Sequence, residues 1–155
     1  MFGGIALPLD QLSAPQLVQH GLTRRVHDRL GVLEVQFLAR EAERILPVMI
    51  GGELRILRWG NRRGESASLP LTLWTQQATV EAGGWKDANV EEVIIPAAFG
   101  VDGGIWFAMK TGVRGLVVAD EKNERRVYVI CEPASNYYST MTKSEWMPAL
   151  VDQQI

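Results

Sequence analysis

The sequence predicts an α+β fold that consists mainly of antiparallel β-sheet, with a few flanking helices. Two observations lead to this expectation. The second half of the chain is a series of short β-rich runs separated by glycine or charged turns. The first half alternates helical patterns with a hairpin pattern. Since no repeat, low-complexity segment or linker interrupts the 155 residues, we expect a single domain over residues 1–155.

Three segments have the pattern of helices. The segment 13–21 begins with a capping serine and a first-turn proline and ends in glycine. In 33–46, apolar residues recur near helical spacing until Pro47 ends the run. Residues 135–142 are typical of a final helical turn or two. We therefore predict a short helix over 13–21, a longer one over 33–46 and a short one near the end.

The remaining pattern is that of strands and turns. Val48–Ile50 and Leu54–Trp59 flank the pair Gly51-Gly52, which is typical of a hairpin. The stretch 61–68 is polar and rich in turn-forming residues, so we expect an exposed loop there. The other predicted strands are Leu71–Trp74, Val93–Ile95, Ile105–Met109, Val113–Val118 and Arg126–Cys131.

The net charge of −2 conceals an asymmetry along the chain. Positions 24 to 63 hold nine arginines and five acidic residues, a net charge of +4, whereas the rest of the chain carries −6. Arginine forms forked contacts with phosphate and carboxylate better than lysine does. The basic segment therefore permits a phosphate-binding face, although solvated arginines and ion pairs explain it equally well.

Composition and motifs exclude several classes of protein. The apolar runs are far too short for a membrane span, and no basic region followed by an apolar stretch marks a secretory signal. The single cysteine, Cys131, cannot form an internal disulfide, ends an apolar run and is expected to be buried. Neither a glycine-rich phosphate loop nor a paired-cysteine metal motif is present. We expect a cytoplasmic protein with no cofactor, metal or membrane partner.

Five segments resemble, in order, motifs of the SOS-response-associated peptidase (SRAP) family. The family stretches are similar to LRWG, CLVPADGFYEW, AGLW, an IITxPAN-type strand end and HDRMPVIL. In this chain the corresponding segments are Leu57–Gly60, Val93–Ala97, Arg114–Val117, Ile130–Ser135 and Trp146–Leu150. The resemblance implies a largely β fold with a barrel-like core, flanking helices and a basic groove for single-stranded DNA. It also implies a setting in DNA damage or phage biology.

The departures from the family pattern bear on chemistry. Family members begin MCGR and cross-link to abasic sites through the amino-terminal cysteine, whereas this chain begins MFGG, with Phe2 at the cysteine position. The family's Asn-Ala-Arg-x-Glu stretch falls on Gln77 and the four residues after it, so that arginine becomes Thr79. The glutamate of GFYEW falls near Asp102, and the histidine of HDRMP on Ser144. The resemblance therefore implies a domain without the family's catalytic residues.

Loss of the nucleophile does not require loss of the DNA groove. Arg58 and Trp59 lie in the retained LRWG segment, and Arg62 and Arg63 follow directly. Guanidinium groups beside an aromatic ring suit backbone contacts and base stacking on single strands. For Trp59, burial in the core is the simpler interpretation, because tryptophan is highly buried on average.

Three functions are consistent with these observations. The first is a non-catalytic domain that binds single-stranded or damaged DNA, and the second is a protein-interaction module that has kept the fold and lost DNA binding. The third is an enzyme that uses Ser144 or Asp102, which requires His20 or His27 within hydrogen-bonding distance.

Overall fold

The computed structural model describes residues 1–85 and 89–152. These residues form twelve strands and three short α-helices, so the described part of the chain is mainly β. The strands are β1 (Phe2–Pro8), β2 (Val26–Arg29), β3 (Val32–Leu38), β4 (Ile45–Ile50), β5 (Glu53–Trp59), β6 (Trp74–Gln76), β7 (Glu91–Pro96), β8 (Phe99–Asp102), β9 (Ile105–Ala108), β10 (Gly112–Ala119), β11 (Arg125–Pro133) and β12 (Trp146–Pro148). The α-helices are α1 (Ala14–Gln19), α2 (Gln77–Glu81) and α3 (Asn136–Thr142), and 3₁₀ turns span Leu9–Gln11 and Leu22–Arg25.

Five strands close into a barrel. The order is β10-β7-β4-β5-β11, and β11 pairs back with β10. A closed ring with an odd number of strands cannot alternate direction throughout, so one neighbouring pair must be parallel. That pair is β5–β11, in which Arg58 lies opposite Arg126 and Trp59 opposite Val127. The strands β6 and β12 extend the sheet from β11. The predicted α+β class with a barrel-like core is confirmed.

A second sheet, here called the outer sheet, packs against the barrel. Its order is β2-β3-β1-β8-β9, and every pair is antiparallel. The main hydrophobic core draws residues from both sheets, with Phe2 and Phe37 from the outer sheet and Leu46, Trp59 and Ile95 from the barrel. The two sheets therefore share the main hydrophobic core, and β1 is the central strand of the outer sheet.

The predicted helix over 33–46 is wrong. Residues Val32–Leu38 form strand β3, which pairs with both β1 and β2. Leu30 and Gly31 make the two-residue turn between β2 and β3 with φ values of 51° and 89°, the geometry of a type I′ hairpin turn. Pairing on both sides overrides the helical spacing of the apolar residues.

Other predicted elements are confirmed or adjusted. Ser13 caps α1 and accepts a hydrogen bond from the Gln16 amide at 3.2 Å, and the glycine pair 51–52 turns between β4 and β5. Cys131 is buried. The strand expected over Leu71–Trp74 instead begins at its last residue, in β6. Across the part of the chain that the structure describes, the helices are too short to cross a membrane.

The stretch 61–68, which is predicted to be an exposed loop, belongs to a longer segment, 61–70, that is anchored from within and is here called the 61–70 loop. Asn61 is buried, and its amide nitrogen donates to the carbonyls of Ser66 and Leu69 at 3.0 and 2.9 Å. Its amide oxygen accepts from the Ser66 amide at 3.0 Å. One side chain thus satisfies three backbone groups, and it fixes the loop where β5 ends.

We expect Asn61→Ala to lower the free energy of unfolding by about 2 to 3 kcal/mol, because it leaves buried backbone groups without partners. Urea denaturation followed by fluorescence measures the change. Asn136→Ala, at an exposed position, is the control and should stay within about 0.5 kcal/mol of wild type. Equal effects of the two substitutions would contradict the anchoring role.

Candidate functional site

Strand pairing brings the start of the chain to Asp102. Phe2 opens β1 and lies opposite Asp102, the last residue of β8. Ser144, just before β12, donates a hydrogen bond to Asp102 Oδ1 at 2.7 Å. The structure therefore brings together three of the four positions that the resemblance singles out. It joins Gln77 to this group by no hydrogen bond: the Gln77 side chain lies on α2 and donates to Glu81 at 3.3 Å.

Asp102 is fully buried, and both of its carboxylate oxygens have partners. The α-ammonium group of Met1 lies 2.9 Å from Oδ1 and also donates to Ser144 Oγ at 3.0 Å. The Tyr138 hydroxyl donates to Oδ2 at 2.7 Å. Burial, together with the hydrogen bond to Asp102 and its negative charge, raises the pKa of Tyr138 far above its ordinary value. Tyr138 therefore remains a donor at every physiological pH.

The group around Asp102 contains neither the amino-terminal thiol that abasic-site cross-linking needs nor a histidine that could activate Ser144. Phe2 supplies no thiol and is 2% exposed. A Cβ atom on Gly100 would lie 2.9 Å from the Phe2 ring and 2.3 Å from Met109 Cε, so the ring fills space that only glycine leaves free. The hydrogen bonds described for Asp102 and Ser144 involve neither histidine, so the enzyme interpretation that required His20 or His27 has no support.

Sequence reasoning missed Tyr138. Tyr137 and Tyr138 are adjacent on α3, and nothing in the sequence distinguishes the residue that faces solvent from the one that reaches the carboxylate. The capping serine is the only local signal: Ser135 accepts from the Tyr138 amide at 3.1 Å and thereby fixes the rotation of the helix.

Of the four residues expected to contact DNA, one is buried and the three arginines are at least partly exposed. Trp59 is 1% exposed, and its Nε1 donates to the Leu73 carbonyl at 3.0 Å. Its ring is therefore not accessible to a base, which corrects the stacking role predicted for it. Arg58 and Arg63 are exposed, and Arg62 donates to the Glu41 carbonyl at 2.8 Å.

A small cleft, here called the arginine cleft, lies beside these residues and has a volume of about 250 Å³. Its lining residues are Ala42, Glu43, Arg44, Arg58, Trp59, Arg62 and Glu65. Sequence reasoning did not single out Arg44, which comes from the turn before β4. The cleft brings this residue next to two of the predicted arginines, which lie at least 14 positions further along the chain.

Of the two acidic residues that line the cleft, Glu65 is already engaged in an ion pair. The Arg126 guanidinium lies 2.9 Å from Glu65 Oε1, whereas Arg58 lies 4.0 Å from the same atom. Burial favours the neutral form of Glu65, but the hydrogen bond from Arg126 and the charges of Arg58 and Arg126 outweigh it and lower the pKa of the carboxyl. Glu65 is therefore ionised, and its charge is directed mainly toward Arg126.

A larger cavity of about 770 Å³ is lined in part by Ser68, Leu69 and Pro70 of the 61–70 loop. Trp74 and Trp85 line it together with Asp120 and Glu121. Glu121 accepts from Ser66 Oγ at 2.6 Å, from the Ala67 amide at 3.0 Å and from Ser68 Oγ at 2.8 Å, while Asp120 accepts from Arg126 at 3.3 Å. Glu121 thus ties the loop to the end of β10, and Asp120 holds Arg126 within the barrel.

Comparison of the chain with family models, curated proteins and solved structures gives no match. The resemblance to the SRAP family therefore stays a prediction that rests on the five sequence segments.

We expect Tyr138→Phe to lower the free energy of unfolding by about 1.5 to 3 kcal/mol, because it removes a hydrogen bond to a buried charge. Tyr137→Phe is the matched control, since that ring is 67% exposed, and its effect should stay within about 0.5 kcal/mol. Chemical denaturation of both variants measures the difference. A Tyr138→Phe protein as stable as the control would contradict the role assigned to the hydroxyl.

The Glu121 carboxylate makes stability depend on pH in the acid range. Hydrogen bonds from Ser66, Ala67 and Ser68 lower its pKa to about 2 from the ordinary 4.5. Because the folded-state pKa is the lower one, this contribution is complete above about pH 4.5 and is lost as the pH falls toward 2.

The stability difference between wild type and Glu121→Gln should therefore be largest near neutral pH and shrink below pH 4.5. Urea denaturation across a pH series measures it, with the exposed Glu124→Gln as control. A difference that stays constant down to pH 2 would contradict this account.

Proposed function

We propose that this protein binds single-stranded DNA without forming a covalent bond to it, through the arginines at the end of β5 and the start of the 61–70 loop. The observation that carries the proposal is the placement of Arg58, Arg62 and Arg63 at one end of the barrel. The Glu65 carboxylate, which lies 4.0 Å from Arg58, is closer to Arg126, at 2.9 Å. These guanidinium groups are therefore available to neutralise phosphates, which dominate affinity for single strands.

The geometry at the start of the chain supports a non-covalent mode. Phe2 replaces the cysteine that the resemblance would require, and it is buried in the core. The Met1 ammonium lies 2.9 Å from Asp102 Oδ1 and donates to Ser144 Oγ, so these two side chains hold it in place. A cytoplasmic setting and a link to DNA damage or phage biology belong to the same proposal.

One observation favours a second candidate, a protein-interaction module. The β2–β3 turn presents Leu30, Val32 and Leu33, which are 100%, 59% and 48% exposed. Single exposed apolar residues are ordinary, but three within four positions at one hairpin end favour a contact surface. This module would bind no nucleic acid.

The two candidates differ in the salt dependence of nucleic-acid binding. We expect a labelled oligothymidine to bind with an affinity that falls linearly with the logarithm of salt, with a slope of about −0.7 for each phosphate contacted. Arg62→Ala and Arg63→Ala should each make the slope shallower by roughly one such contact, because each removes one charge. Fluorescence anisotropy across a salt series measures both effects.

Arg55→Ala is the matched control. Arg55 lies on β5 three residues before Arg58, hence on the opposite face of the strand, and it pairs with Glu53 at 3.2 Å. An abasic site in the oligonucleotide should leave affinity unchanged. Absence of binding at low salt would overturn the proposal in favour of the interaction module. An adduct with the abasic strand that resists boiling in detergent would overturn the non-covalent mode.

A further inference from the structure

The arginine cleft has the features of a site for a single small anion. Three guanidinium groups, those of Arg44, Arg58 and Arg62, line a space of about 250 Å³. This volume lies below the range of about 300 to 1,000 Å³ that pockets for drug-sized ligands occupy. The cleft therefore suits one tetrahedral oxyanion rather than a whole nucleotide.

Among the described residues, the Arg44 guanidinium is only partly satisfied. Its Nη2 atom makes one long contact of 3.5 Å to the Asn61 carbonyl, and its Nε is buried with no hydrogen-bond acceptor. Burial and the nearby charge of Arg62 lower the pKa of Arg44, although arginine stays protonated in proteins. Buried donors almost always have acceptors, so this free donor beside a second cation indicates that the acceptor comes from a ligand.

The charges around the cleft leave a positive excess. Glu65 is engaged by Arg126, which is itself balanced by Asp120 at 3.3 Å. Arg25 does not line the cleft, but it is 4% exposed and donates to the carbonyl of the lining residue Glu43 at 2.9 Å. Its Nε and Nη1 atoms have no acceptor either. By formal charge, the four guanidinium groups of Arg25, Arg44, Arg58 and Arg62 exceed the two lining acidic residues, Glu43 and Glu65, by two.

We propose that the arginine cleft binds the terminal phosphate monoester of a nucleic-acid strand, with Arg44, Arg58 and Arg62 as its ligands. A phosphate monoester carries about −1.5 to −2 charges at pH 7, which matches the excess, whereas an internal phosphodiester carries only one. The guanidinium fork fits phosphate oxygens in pairs. That the phosphate belongs to a nucleic-acid strand rests on the proposed function. That the cleft binds a phosphate group does not rest on it.

The test compares one oligothymidine sequence phosphorylated at its 5′ end, at its 3′ end or at neither, by anisotropy in matched chloride. We expect phosphorylation at one end to tighten binding to the wild-type protein roughly tenfold, the equivalent of one charge-assisted hydrogen bond. Inorganic phosphate should compete with the phosphorylated strand and reduce this advantage.

Two substitutions and a control assign the effect to the cleft. Arg44→Gln should abolish the advantage of the phosphorylated strand, and Arg44→Lys, which keeps the charge but loses the fork, should retain part of it. Arg24→Gln removes an exposed arginine that does not line the cleft and should leave the advantage intact. Thermal midpoints of all three variants verify that they are folded.

Each outcome separates this inference from the proposed function. Salt-dependent binding that ignores terminal phosphorylation would overturn the inference and leave the proposed function standing. Binding of inorganic phosphate that Arg44→Gln abolishes, without any binding of DNA, would support the anion site and overturn both the strand source and the proposed function. Binding of neither probe would overturn both.

Discussion

The ion pairs and hydrogen bonds of the buried Arg126 guanidinium hold together the end of the barrel where β5 pairs with β11. Arg126 is 3% exposed and donates to Asp120, to Glu65 and to the carbonyl of Gly60 at 3.3, 2.9 and 3.2 Å. It lies on β11 opposite Arg58, in the parallel pair that closes the barrel. Removing one partner of such a buried network leaves uncompensated charge, which is strongly destabilising. Barrel closure and the position of the arginines are therefore maintained by the same side chain.

A second buried charge organises the other sheet. Asp102 is satisfied by a tyrosine, a serine and the Met1 ammonium, so its role is to hold the start of β1 against β8 and α3. The Asp102 network and the arginines near the cleft differ in whether any buried hydrogen-bond donor is left without an acceptor. The Asp102 network has an acceptor for each of these donors, whereas Arg44 and Arg25 keep donors without acceptors. We locate ligand binding at the arginine cleft for this reason.

The sequence was informative where local pattern and tertiary structure agree. Alternation and glycine turns predict most barrel strands, and the capping serine Ser13 predicts α1. The β2–β3 hairpin was missed because its turn is Leu30-Gly31 rather than a pair such as Asn-Gly. Only the resemblance to the SRAP family implied that the first residues of the chain lie close to Asp102. Arg44 could not be found at all, since its missing acceptor is a property of packing and not of spacing.

If a strand terminus binds to the guanidinium groups that the barrel positions, it should perturb those groups before any other arginine. Arginine Nε–Hε correlation spectra, recorded with and without a terminally phosphorylated oligothymidine, measure this. We expect the largest shifts at Arg44, Arg58 and Arg62, with Arg24 and Arg55 unchanged. Shifts spread over all surface arginines, or confined to the tryptophan indoles of the larger cavity, would contradict it.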